Sequence, residues 1–102
     1  MAYISNDANT LFDDGDFTLR DMPRLLAAMH TATNVRGYRD ITLDFSRCTR
    51  AYAGPMLGVA AHAQSCWSQG IDVELKLPAD SRLARLFTNA NWANLIDPRS
   101  AA

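Results

Sequence analysis

An α/β domain, in which a mixed sheet of about four strands carries three main helices, is the fold this sequence predicts, and three observations predict it. Residues 41–45 and 71–77 alternate apolar with polar side chains, the two-residue period of a half-buried strand. The segment between them opens at Gly54 and Pro55, closes at Gly70, and places Met56, Ala60, Ala63 and Trp67 on one helical face. Earlier in the chain Leu19, Met22, Leu25, Leu26, Met29 and Thr33 recur at three-and-four spacing, the mark of a helix with one buried side. Two strands joined by a helix read as a parallel βαβ unit, whose crossover is nearly always right-handed.

Taken in order, Tyr3-Ile4 and Leu11-Phe12 suit two short strands separated by the turn-rich SNDAN and closed by DDGD. Thr18 with Asp21 resembles a capping box for the first helix, with Asp21 itself as the other candidate cap; Pro23 fits only the first turn, and Gly37 ends the helix. The strand at 41–45 leads into a connecting loop over 46–53 and then the second helix, whose Gly58, His62, Ser65 and Gln69 form a solvated stripe. After the strand at 71–77, Asp80 or Ser81 caps a third helix with Leu83, Leu86, Phe87 and Ala90 facing inward. Asn91 stops that helix, and Trp92, Leu95 and Ile96 add a last apolar cluster. Leu43, Phe45, Met56, Ala60, Ala63, Val73, Leu75, Leu83, Leu86 and Phe87 are the expected core.

Composition narrows the function. The 102 residues suit one domain, 1–102, able to bury a core without a metal or a disulfide. Ten Lys and Arg against eleven Asp and Glu leave a net charge of −1, which argues against nucleic-acid binding by electrostatics alone. Cys48 and Cys66 have no metal or redox spacing, and the two histidines add no zinc pattern, so neither a metal nor another cofactor is expected. The first residues lack the basic start and apolar run of a signal peptide or a membrane span; the expectation is a cytoplasmic chain without membrane insertion. Ser46, His62 and Asp44 are the residue types of a catalytic triad, but His62 falls on a stripe pointing away from the sheet, and no enzyme is expected.

The strand 41–45 ending in Asp44-Phe45-Ser46, then a loop, then a helix opening near Gly54, resembles the STAS family, the sulphate-transporter and anti-sigma-factor-antagonist domains. Gly70, the strand at 71–77, and the closing Leu83-Ala84-Arg85-Leu86-Phe87 with residues 91–96 continue the resemblance across residues 40–97. It implies a regulatory protein-interaction module of bacterial signalling that binds an ATPase or kinase domain, in cis or in trans. In anti-sigma-factor antagonists a loop serine is the phosphoacceptor, and the matching position here is Gly54, which has no hydroxyl. The resemblance therefore implies binding without the standard serine phosphoswitch. A second likeness, to STAS-like modules that precede a kinase-type ATPase domain, implies that the chain is part of a longer polypeptide.

The candidate partner-binding residues are Arg47, Arg50, Tyr52, Ala53, Gly54, Pro55 and Met56, at the carboxyl end of a parallel strand, where open α/β sheets place their functional crevices. Arg50, Tyr52, Pro55 and Met56 suit an interface if exposed; packing of Tyr52 and Met56 against the sheet is the competing reading. The helix start near Gly54, with Arg47 and Arg50 beside it, also suits an anion, although plain solvated charge is the simpler reading. The alternative function is a ligand-sensing domain that holds a nucleotide or a lipid between this loop and the second helix.

Overall fold

A computed structural model describes residues 3–101. Strand β1 (Tyr3–Asp7) turns back into β2 (Thr10–Phe17), and the chain continues through α1 (Met22–His30), a π-helical turn (Thr31–Val35), β3 (Asp40–Ala51), α2 (Ala53–Ser68), β4 (Asp72–Lys76), α3 (Ser81–Asn89) and α4 (Trp92–Ile96), ending in a 3₁₀ turn (Pro98–Ala101). The four strands form one sheet in the order β1-β2-β3-β4; β1 is antiparallel to β2, and β2, β3 and β4 are mutually parallel. The mixed α/β sheet expected from the sequence is what the chain forms.

One sheet face carries Leu11, Ile41, Leu43, Phe45, Val73 and Leu75, all buried beneath the helices. The opposite face carries Thr42 and the exposed Glu74 and Lys76, as the two-residue period requires. Inside, Phe17, Phe45, Phe87 and Trp92 form an edge-to-face chain with successive ring centroids 5.5 Å apart. Each such contact contributes about 0.5–1.5 kcal/mol beyond the area it buries, which ties β2, β3, α3 and α4 together.

The helix signals resolve as follows. The Asp21 carboxylate accepts hydrogen bonds from the Thr18 backbone N–H and hydroxyl, both at 2.8 Å, which is the acidic half of a capping box. Pro23 sits in the first turn of α1, where its missing N–H costs nothing. Asp80 caps α3 by accepting from the Leu83 N–H at 3.1 Å, and Asn91 takes the left-handed conformation that ends the helix (φ 68°).

Four expectations need correction. The loop expected over 46–53 is mostly strand: β3 runs to Ala51, because β2 continues through DDGD and pairs with it as far as Phe17↔Ala51, with irregular register at 12–14 and 15–16. Leu86 and Ala90 are exposed, since Leu83 and Phe87, four residues apart, already fill the buried stripe of α3. Leu19 is exposed and precedes α1, and α1 itself gives way to the π-helical turn before Gly37. Gly58 and His62 do not lie on a solvated stripe: a Cβ at Gly58 would meet the Met22 Sδ, and His62 is half-buried. The exposed side of α2 is instead Leu57, Ala61, Gln64, Ser65 and Ser68.

Candidate functional site

The register between β3 and β4 ends at Asp44↔Lys76, while β3 continues for another seven residues along β2. Ala79 donates its N–H to the Ser46 carbonyl at 3.0 Å, and the chain then turns away into α3. Among the described residues no strand lies beside Arg47–Ala51 on the β4 side. That free stretch and the start of α3 form the two walls of a groove of about 300 Å³.

The groove is lined by Thr49, Arg50, Ala51 and Tyr52 from the β3 side and by Asp80, Arg82, Leu83 and Leu86 from the α3 side. Tyr52 is 46% exposed and Leu86 42%. Neither Arg50 nor Arg82 has an ion-pair partner among the described residues. Asp80, which lines the groove, caps α3, and Asp16, opposite Arg50 in the β2–β3 register, accepts the Thr49 hydroxyl at 2.6 Å.

Of the seven candidate residues, Arg50 and Tyr52 line this groove. Ala53 and Gly54 are exposed in the first turn of α2, and Arg47 is exposed on β3 below the groove. Pro55 and Met56 are buried, so they support the α2 start from within and offer no surface to a partner. The α2 amino end has no side-chain cap hydrogen bond: Tyr52 has the extended backbone of a capping residue (φ −130°, ψ 150°) but not a short side-chain oxygen that reaches the first free N–H groups. A Cβ at Gly54 would meet nothing within 4 Å, so its surroundings are open.

Sequence reasoning missed Arg82 and Leu86. The helical period places Leu86 in the core with Leu83, and the signal against this is Arg82 four residues before it, which puts a charge on the same helical face. A wider pattern also escapes the sequence. The exposed large apolar residues Leu19, Tyr52, Leu57, Leu77 and Leu86 all follow the carboxyl end of β2, β3 or β4, and Val35 alone lies elsewhere. Because the three strands are parallel, the segments that follow them leave the same end of the sheet.

Two residues of the catalytic-triad types are joined through the backbone of one of them. The Asp44 carboxylate accepts the Ser46 N–H at 2.9 Å, and burial with the neighbouring His30 lowers the pKa of His62. Among the described residues there is no group of three metal-ligating side chains, and no helix is long and apolar enough to cross a membrane.

The most perturbed acid lies outside the groove. Asp13, at the irregular step in β2, is buried, and both carboxylate oxygens lack a hydrogen-bond partner among the described residues. Burial pushes its pKa from 3.8 up to about 7, aided by Asp21, Asp14 and Asp16. The nearby Cys48 thiol opposes this rise, but its proton is directed at the Arg50 carbonyl, 3.2 Å away. Burial likewise raises the Cys48 thiol, as does Asp13.

No protein-family model matches the chain, and no curated protein matches it. Among solved structures, one described as a crystal structure analysis of Mglu is similar in fold, with a TM-score of 0.58 at 16% identity. The match covers 76% of this chain and 20% of that one, so this chain corresponds to a small part of the Mglu chain. At that identity the likeness shows the fold alone.

Proposed function

We propose that the chain is a regulatory protein-interaction domain of the STAS type it resembles, binding an ATPase or kinase partner, in cis or in trans, without a serine phosphoswitch. The observation that supports this best is the groove between the end of β3 and α3. Its unpaired Arg50 and Arg82 stand beside the exposed Tyr52 and Leu86, a mixture of cation, aromatic ring and aliphatic surface that suits protein recognition. Arg50 and Tyr52 were already candidates by sequence. Gly54, at the position of the family's phosphoacceptor, supports the absence of the switch.

Affinity capture tests the reading. The wild-type chain and an Arg50→Glu/Tyr52→Ala double variant, shown by circular dichroism to melt alike, are immobilised and exposed to extract of the source cells. A protein with ATPase or kinase activity that is retained by the wild type and lost on the variant is the expected result. Equal retention by both would move the interface to the charged outer face of Asp72, Glu74 and Lys76. Saturable micromolar binding of a nucleotide or lipid to the isolated chain, with no protein captured, would replace the reading with ligand sensing.

A further inference from the structure

Resting on that reading, we infer that the partner segment received by the groove is acidic and carries a bulky apolar side chain next to its carboxylate. The chain as a whole has a net charge of −1, yet the groove is locally cationic. Arg50 enters from the end of β3 and Arg82 from the first turn of α3, and neither has an ion-pair partner among the described residues. The one lining acid, Asp80, has a carboxylate oxygen committed to the Leu83 N–H. A carboxylate placed between two guanidinium groups gains charge-assisted, bidentate hydrogen bonds that a neutral amide cannot make.

The apolar half of the recognition comes from different residues. Tyr52 and Leu86 are each about half exposed, on opposite walls, above Leu83 and Ala51. An aromatic or leucine side chain laid between them loses water on both faces, and a ring also meets the edge or face of Tyr52. Arginine flanking apolar surface in this way selects an acid beside a hydrophobe and disfavours a basic segment, because a second cation would be repelled by both arginines. The groove is also open at the free edge of β3, so a segment of a larger protein can enter without its ends being enclosed.

The probe is a phage-displayed library of random decapeptides, selected on the wild-type chain and, in parallel, on an Arg50→Gln/Arg82→Gln variant that melts like the wild type. The wild type should enrich Asp or Glu next to Leu, Phe, Tyr or Trp, and the variant should lose the acidic enrichment. The best peptide is then made with a fluorophore and compared with its Asn/Gln isostere by anisotropy at low and at high salt. At least a tenfold weaker binding is expected for the isostere, for the variant and for the high-salt arm. Enrichment without acids, equal binding of the isostere, or no enrichment at all overturns the inference. So does displacement of the selected peptide by ATP or by phosphatidylglycerol vesicles that themselves need Arg50 and Arg82, which would make the groove an anion site. These failures remain distinct from failure of the proposed function: a partner captured through Arg50 and Tyr52 but indifferent to Arg82 and to salt would keep that reading and remove only the acidic segment.

Discussion

At the amino end of β4, Arg99 is held on three sides: its Nε meets the buried Asp97 carboxylate at 3.3 Å, its guanidinium reaches Asp72 at 3.5 Å, and it lies 4.9 Å from the ring centre of Trp67. At the carboxyl end of β3, Arg50 and Arg82 face a groove with no acid paired to them among the described residues. Asp97 also accepts the Leu75 N–H of the edge strand at 3.2 Å, and Trp67 donates its Nε1–H to the Ile96 carbonyl at 2.9 Å. The residues around Asp97 and Arg99 thus spend their polar groups along the β4 edge, from Asp72 to Leu75, and on fastening α4. The carboxyl end leaves Arg50 and Arg82 without an ion pair among the described residues and Tyr52 and Leu86 partly exposed, the surface to which the proposed function assigns a partner. The same side chain therefore reads as structural or as functional according to whether its counter-charge is already present.

If this contrast is right, the largest loss of stability should come from the amino end. Asp97→Ala removes the acceptor of a buried strand N–H together with the partner of Arg99, and should cost about 3 kcal/mol. Arg99→Ala should cost about 1 kcal/mol, because that side chain is more than half exposed and its pair with Asp72 is screened by solvent. Urea denaturation of the two variants checks the ranking. Equal losses would mean that the cation, and not the capped strand edge, carries the stability of that end.

A second, intermediate effect concerns Asp13, which belongs to neither end and has no counter-charge either. Its carboxyl is raised from 3.8 to about 7 in the fold, so the folded chain binds a proton that the unfolded chain releases. The sign follows: the stability associated with Asp13 is fully present below about pH 4 and is lost as pH rises through about 7. Asp13→Asn mimics the neutral form. It should stabilise the chain by about 2 kcal/mol at pH 8 and by little at pH 4, after allowing for an amide that is itself poorly bonded. Melting temperatures followed from pH 4 to 8 should fall for the wild type and stay flatter for the variant. Parallel pH profiles would show that Asp13 is not the titrating group.

These effects also show what the sequence could and could not reveal. Alternation at residues 71–77 gave β4 directly, and the Asp80 and Asn91 signals fixed the ends of α3, because caps and periodicity are local properties. The length of β3 is not local. Arg47–Ala51 become strand because β2 lies alongside them, and the β2 sequence DDGD carries turn residues that only an irregular register can absorb. The candidate site was legible by half for the same reason. Arg50 and Tyr52 follow the strand in sequence, whereas Arg82 and Leu86 reach the groove from thirty residues further on, by a contact that no spacing rule encodes.

The smallest effect uses two glycines four residues apart on α2, one belonging to the open end and one to the packed interior. Gly54 sits in the first turn with nothing beyond its chain neighbours near where a Cβ would go and without a left-handed backbone, but it precedes Pro55, whose ring crowds a Cβ-bearing residue in helical backbone and offsets what alanine gains by restricting the unfolded chain. Gly54→Ala should therefore be close to neutral, within about 0.5 kcal/mol. Gly58→Ala would gain at least as much from helix propensity, being interior to α2, but its Cβ must displace the Met22 Sδ and crowd the Met22 Cγ at the crossing with α1. Met22 is flexible and can rotate away, yet it is half-buried and would leave a gap, so the net change should be a loss of about 0.5–1 kcal/mol. Thermal melts of the two variants check both expectations. A gain at both positions would mean that α1 yields at the crossing, and the packed and open parts of α2 would then differ less than their surroundings indicate.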